Sequence, residues 1–206
     1  MKKILLATRN NYKKEQFLYL LDNNDLDIYT IYDLNLKGSV EENGLTVQEN
    51  ALIKARYWVK KSKIPTLADD AGLEIDALNK EPGVKARRWG GKFSENVDDE
   101  TWLSYLLERM NGISFEKRTA RYNATWAFVF PNGKEYIKNI KLEFIIAEEP
   151  KRPYPKGSPM SSVRYFPEYN KIEVDLKKEE QWRELKQKMK EWNLPEKLKE
   201  YYKNEK

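Results

Sequence analysis

The sequence predicts an α/β protein, and three stretches carry that reading. Lys3–Ala7 is an apolar run of strand length that stops in the polar turn Thr8-Arg9-Asn10-Asn11 and enters a helical pattern. Thr46-Val47-Gln48-Glu49 is a capping box that opens a second helix running to about Ser62. Ala120–Phe130 and Glu135–Ile146 are long strand-like runs on either side of Pro131-Asn132-Gly133, the pattern of a hairpin.

The other elements follow in order. The first helix turns Phe17, Leu18, Leu20 and Leu21 inward. Strand, polar turn and helix together aim backbone N–H groups and a helix dipole at an anion. Leu26–Tyr32 reads as a second strand. The capped helix carries Ala51, Leu52, Ala55 and Val59 inward, and Pro65 ends it. Thr66–Ala68 begins another strand, which Asp69-Asp70-Ala71-Gly72 is expected to break before Leu73–Leu78 resumes it. Glu81-Pro82-Gly83 reads as a turn. Thr101–Met110 is an amphipathic helix, with Trp102, Tyr105, Leu106 and Arg109 at i, i+3, i+4 and i+7. Pro150–Pro159 is a proline-rich loop and Lys171–Leu176 alternates as a half-exposed strand does. The tail from Lys177 is helical, with Trp182, Leu185, Met189 and Trp192 on one seam. No repeat or flexible linker divides the chain, so residues 1–206 are expected to form a single domain.

Composition narrows the chemistry. The chain has 206 residues, enough for one core or two small lobes sharing one. It contains no cysteine, which removes disulfides, zinc–thiolate sites and thiol nucleophiles, and no histidine, which removes imidazole acid–base work and His-dependent triads. Catalysis has to run on carboxylates, Lys, Arg, Tyr, Ser/Thr and a borrowed metal. Lys+Arg outnumber Asp+Glu by 38 to 33, a net +5 that suits an anionic ligand. The charges are mixed along the chain, whereas a nucleic-acid arm would show a basic block. No segment approaches the roughly 20 apolar residues of a membrane helix. The opening Met-Lys-Lys-Ile-Leu-Leu-Ala stops at Thr8, short of the roughly 7–15 apolar residues of a signal peptide. A soluble, cytoplasmic protein is expected.

Four clusters could carry chemistry. Thr8 to Lys13 offers backbone N–H groups, a hydroxyl, amides and a cation to a polyphosphate, without the glycines of a P-loop. Asp69-Asp70 places two repelling carboxylates side by side, and Mg²⁺ is the usual remedy. Glu41-Glu42 precedes the capped helix, and Lys54 lies two turns into it. Arg87-Arg88-Trp89-Gly90-Gly91 could hold an anion beside an aromatic face. Taken singly, each is more simply read as a capped helix start, a polar turn or a solvated surface.

Taken in order, they resemble the inosine triphosphate pyrophosphatase (XTP/dITP diphosphatase) family. Ala7-Thr8-Arg9-Asn10-Asn11-Tyr12-Lys13 matches its Ala-Thr-x-Asn-x-x-Lys. Glu42 to Arg56 fits its Glu-x-Gly-x-Thr-x-x-Glu-Asn-Ala-x-x-Lys-Ala-Arg throughout. Ala68-Asp69-Asp70-Ala71-Gly72-Leu73 matches Ala-Asp-Asp-Ser-Gly-Leu, with Ala71 in place of a substrate-contacting Ser. Pro82-Gly83, Arg88-Trp89 and Arg118-Thr119-Ala120-Arg121-Tyr122 look like two further family segments. Linked motifs at family spacing over roughly residues 3–133 are far more specific than any one alone.

The resemblance implies a twisted mixed sheet flanked by helices, with two lobes around a central cleft. It implies a Mg²⁺-dependent nucleoside triphosphate pyrophosphohydrolase, with Mn²⁺ as the alternative ion and a homodimer as the assembly. Glu42, Asp69 and Asp70 are the expected metal ligands. Asp70, Lys13 and Lys54 are the expected catalytic groups. Thr8, Arg9, Asn10, Asn11, Tyr12, Lys13, Ala71 and Arg88 are expected to bind substrate. The last third departs: Pro159 to Pro167 stands where the family has Gly-Phe-Gly-Tyr-Asp-Pro, and the closing Ser-His-Arg is missing. Phosphate and metal chemistry therefore carry over, whereas base selectivity does not. Two rival readings remain: a nucleotide-binding protein without turnover, and a single-stranded nucleic-acid binder stacking bases on Trp89, Tyr122 and Trp126.

Overall fold

The computed structural model describes residues 2–21 and 26–204. Strand β1 (Lys2–Leu6) buries Ile4, Leu5 and Leu6, as its apolar run requires. Helix α1 (Asn11–Leu20) follows, with Phe17, Leu20 and Leu21 buried but Leu18 exposed, so the apolar face is narrower than expected. Strand β2 (Leu26–Thr30) lies parallel to β1, Ile4 opposite Ile28. Helix α2 (Val47–Ser62) is capped by Thr46 and Glu49 reciprocally and ends at Lys63 in the left-handed conformation.

Strand β3 (Thr66–Ile75) contradicts one expectation. It runs unbroken through Asp69-Asp70-Ala71-Gly72 and stops at Ile75, after which Asp76–Leu78 forms a 3-10 turn. Adjacent carboxylates are poor strand residues in isolation, but neighbouring lysines engage both of them, and tertiary context outweighs propensity. Pro82–Gly83, expected only as a turn, forms the short strand β4 antiparallel to β3. Helix α3 (Asp99–Arg109) starts two residues earlier than expected because Asp98 caps it, accepting from the Thr101 N–H.

Strands β5 (Thr119–Val129) and β6 (Glu135–Ile146) form the expected hairpin, closed by the Phe130 N–H on the Lys134 carbonyl. β7 (Arg164–Phe166) pairs antiparallel with β6 and with β8 (Lys171–Ile172). The expected strand Lys171–Leu176 is therefore only two residues long. Glu173–Asp175 turns as a 3-10 helix instead, which takes the Glu173 side chain into the interior. The tail is helical as expected, in three pieces: α4 (Lys178–Gln181), α5 (Arg183–Trp192) and α6 (Leu194–Asn204). Among the described residues the strands order as β2-β1-β3-β5-β6-β7-β8, with β4 on β3. No helix there is long and apolar enough to cross a membrane.

The chain divides into two compact units. The first is Met1–Asp70, Thr125–Ile140 and Trp182–Lys206; the second is Ala71–Ala124 and Lys141–Gln181. In the first, Leu5, Ala7, Ala51, Ala55, Trp58, Ala68, Ala127 and Val129 pack one core, so β1, α2, β3 and β5 are tied together directly below the turn that follows β1. The tail seam joins this unit, with Trp126 tilted on Trp192 and Tyr12 edge-on to Trp182. In the second, Leu73, Ile75, Trp89, Trp102, Leu106, Phe144 and Ile146 form the core.

Arg118 organises that second unit. It is 3 % exposed and has no acidic partner at hydrogen-bond distance among the described residues. Its guanidinium instead donates to the carbonyls of Ile146 (2.8 Å), Met110 (2.8 Å), Ile113 (3.3 Å) and Ala147 (3.1 Å). Burial accordingly lowers its pKa from the ordinary value. A lysine could not span these carbonyls, because its donors sit on one atom. Arg118→Lys should cost about 2 kcal/mol in a denaturant melt, as unsatisfied buried acceptors do. A loss under about 0.5 kcal/mol, within the surface range, would show that the fork is dispensable.

Candidate active site

The site is built on the exits of β1 and β3 and the two helices beside them. Asn10 caps α1: its side-chain oxygen accepts from the N–H groups of Tyr12 (2.9 Å) and Lys13 (3.4 Å). Thr8 Oγ1 accepts from the Asn10 N–H at 3.1 Å. The turn therefore supplies some of its own anion-like acceptors, and two of the backbone donors expected to face phosphate are occupied by the cap. Fixing the first turn sends the Lys13 side chain toward β3, where Nζ lies 2.7 Å from Asp69 Oδ2.

The second helix delivers Lys54. Thr46 Oγ1 accepts from the Glu49 N–H (3.1 Å), and Glu49 returns to the N–H groups of Thr46 (3.2 Å) and Leu45 (2.6 Å). Asn50, which is buried, accepts from the Gly44 N–H at 2.8 Å. A side chain at position 44 would meet Asn50 Oδ1 and Glu49 Cβ at 2.7 Å, so only glycine lets the loop press onto the helix end. Two turns on, Lys54 Nζ lies 3.0 Å from Glu42 Oε2, 3.8 Å from Asp70 Oδ1 and 3.0 Å from the Asp69 carbonyl, to which it donates.

Three carboxylates and two ammonium groups thus share one neighbourhood, all within the first unit. Burial works against the charge on Lys13, but Asp69, then Asp70 and Glu42, outweigh it and raise its pKa. Asp70 is the opposite case. Burial pushes its carboxyl up to about 6, Lys54 and Lys13 pull it back only in part, and Glu42 and Asp69 push it further. Its Oδ2 is buried and, among the described residues, has no hydrogen-bond partner.

These features bear on whether a divalent cation fits. The donors are carboxylate oxygens, which suit a hard ion such as Mg²⁺ or Mn²⁺, and Asp70 Oδ2 is an open ligand atom. Among the described residues, however, no three acidic side chains are assembled to hold a metal. The Lys54 ammonium stands between Glu42 and Asp70, in the position a cation would share or take over. The residues fit the ion in chemistry, with Lys54 as the group that has to yield.

The remaining expected residues are scattered. Arg9 donates to the Gly38 carbonyl and lies over Trp58, 5.9 Å from the ring centroid. Asn11 begins α1, and Tyr12 faces Trp182. Ala71 follows Asp70 along β3, half-buried, as the first residue of the second unit. Within that unit Arg88 pairs with Glu95 at 3.2 Å, Arg87 with Asp99 at 2.7 Å, and Trp89 is packed against Trp102 and Tyr105. The aromatics offered for base stacking are likewise core residues: Trp89 and Trp126 are buried, and Tyr122 lies on Phe144. Gly44 and Asn50 are organising residues that the capping pattern alone does not expose. An Asn between a capping Glu and an alanine is the available signal.

Comparison with known proteins adds the family. The model of the Ham1 family matches residues 4–157. A dITP/XTP pyrophosphatase of Bacillus anthracis is 34% identical over 207 residues, covering 95% of this chain and 100% of that protein. One from Geobacter sulfurreducens is 36% identical over 151 residues, 73% of this chain and 74% of its own. The Ham1 protein structures of Coxiella burnetii and Staphylococcus aureus superpose with TM-scores of 0.72 and 0.69, at 30% and 27% identity; each comparison covers 88% of this chain and 90% of the other. The resemblance drawn from these linked motifs is thereby borne out, and the family match stops just before the segment 159–167 that departs from the family pattern. A helix-capped lysine pair facing Asp69 and Asp70, on a chain whose residues 4–157 match the family model and which a relative covers over 95% of its length at 34% identity, leads to one conclusion: the chain belongs to the Ham1 family.

Proposed function

We propose that the chain is a nucleoside triphosphate pyrophosphohydrolase, cleaving non-standard purine triphosphates such as ITP, XTP or dITP to the monophosphate and pyrophosphate. The observation that carries the reading is the meeting of Lys13 and Lys54 with Glu42, Asp69 and Asp70 at the β3 exit. The names of the relatives support the substrate class. We read residues 1–206 as a single pyrophosphatase-like domain that acts in the cytoplasm as a homodimer.

Glu42 and Asp70, with Asp69, would hold Mg²⁺ or Mn²⁺. When bound, that ion supplies positive charge at the phosphate oxygens and the leaving pyrophosphate. Lys13 and Lys54, freed from their carboxylates, turn to the same oxygens and balance the charge that grows there. Thr8, Asn10, Asn11 and the start of α1 give the polyphosphate a polar floor at a helix N-terminus. Asp70 orients the attacking water and takes its proton. Water oxygen bonds to the α-phosphorus, the α–β anhydride bond breaks, and its electron pair leaves with pyrophosphate. No covalent intermediate is needed, so a chain without His and Cys loses nothing.

The test is a nucleoside triphosphate panel with Mg²⁺, with Mn²⁺ and with EDTA, separating pyrophosphate from orthophosphate. Pyrophosphate from ITP, XTP or dITP that disappears with EDTA is the expected result. Tight nucleotide binding with no product would favour the non-catalytic reading, and orthophosphate as product would move the cleaved bond.

Asp70→Asn separates catalysis from stability. It should lower kcat by at least about 10²-fold, as loss of a preorganised electrostatic group does. The same change should stabilise the metal-free fold. A raised folded pKa means that between about pH 4 and pH 6 the folded chain holds a proton the unfolded chain has released, so ionisation costs stability, fully so above about pH 6. With EDTA at about pH 8 the variant should gain roughly 1–3 kcal/mol, a gap that closes toward about pH 4. A variant less stable than wild type at about pH 8 would contradict the desolvation argument.

A further inference from the structure

Glu42 sits in a long irregular connection, residues 31–46, between β2 and α2. A side chain that meets Lys54 and Asp70 from such a loop needs the loop to be held. One holding point lies beyond Glu42, where Gly44 is fastened to Asn50 and the capping box. The other lies before it, at Lys37-Gly38. There the Arg9 guanidinium donates to the Gly38 carbonyl and Lys61 Nζ donates to the Lys37 carbonyl at 2.6 Å. Both cations rest over the Trp58 ring at 5.9 Å, and Lys61 also lies 5.0 Å from the Tyr57 ring. Gly38 has φ +125°, and a Cβ there would run into the Tyr57 hydroxyl and Lys61 Nζ. Position 38 therefore requires glycine both for its backbone angle and for the closeness of the clamp. Leu36 and Val40 pack on the core to either side. Residues 39–43, with Glu42 among them, are suspended between these two fixed points.

We propose that Arg9 is a positioning residue: together with Lys61, it clamps two successive carbonyls of the acidic loop onto Trp58 and so sets where the Glu42 carboxylate stands. Arg9 was expected to bind substrate because it lies in the phosphate turn, but its donor points at the loop. It joins the turn after β1 to the segment bearing Glu42, so both halves of the polar cluster share one rigid link. An arginine suits this role because its flat guanidinium can lie on an indole and donate sideways to a carbonyl at once. The effect of the clamp on cation affinity rests on the reading of Glu42 as a metal ligand; its effect on the loop does not.

The test uses the full-length chain with Arg9→Ala and, separately, Lys61→Met, both at exposed side chains that the core does not need. Hydrogen exchange of amides 37–43 is measured without metal or nucleotide, and Mn²⁺ affinity is measured by electron paramagnetic resonance without substrate. KM for ITP is then measured at saturating Mn²⁺. Each variant should speed exchange in 37–43 and weaken Mn²⁺ binding by about tenfold, the usual effect of losing an outer partner of a metal ligand. KM at saturating Mn²⁺ should stay within about twofold, because contacts to the nucleotide are intact. Unchanged exchange together with a raised KM in Arg9→Ala would overturn the proposal and make Arg9 a phosphate ligand. If wild type binds no Mn²⁺ and hydrolyses no nucleotide, the pyrophosphatase reading fails, while the exchange result still decides the clamp.

Discussion

Everything at this site depends on two adjacent carboxylates held in a strand that enters the core. Asp69 and Asp70 would repel each other and suffer from burial in isolation, and β3 would end there, as the sequence alone suggests. It does not end, because one lysine from each flanking helix reaches it. Lys13 answers Asp69, and Lys54 answers Asp70 and Glu42. The balance is deliberately incomplete in its physics: three acids face two cations, Asp70 retains a buried oxygen without a partner among the described residues, and its carboxyl is pushed up to about 6.

The lysines can do this only because their helices start at fixed places. Asn10 stops α1 from fraying and orients the first turn, which carries Lys13. The Thr46–Glu49 box, with Gly44 pressed against Asn50, does the same for α2 and at the same time brings in the loop bearing Glu42. Capping residues and charged residues are therefore parts of one device: the caps set direction, the helix sets reach, and the charges meet at β3. The core of Ala51, Ala55, Ala68 and Ala127 keeps helix and sheet close enough for a lysine to bridge them.

Much of this was legible from residues in order. The capping box, the strand-turn-helix of residues 2–20, the hairpin and the tail seam are local patterns, and local hydrogen bonding and periodicity decide them. Lys13, Glu42, Lys54, Asp69 and Asp70 were identified as a set only because their motifs occur together at family spacing. What could not be read was whatever depends on a distant partner. β3 continues through Asp69-Asp70 because of lysines 56 and 16 residues away along the chain. Lys171–Leu176 alternates like a strand, yet turns at Glu173 because that carboxylate is drawn inward to Arg164, which lies over Tyr122 and Phe144. Arg9 sits in the turn after β1 but donates to the Gly38 carbonyl, and Arg87 and Arg88 pair with Asp99 and Glu95. A positive charge read from sequence is an offer, and only the fold shows who takes it.

The most direct measurement is a crystal structure with Mn²⁺ and a non-hydrolysable triphosphate, located by manganese anomalous scattering. A manganese peak bonded to oxygens of Glu42 and Asp70 is expected, with Lys13 and Lys54 moved onto phosphate oxygens. A metal bound away from both carboxylates, with Lys54 still seated between them, would contradict it.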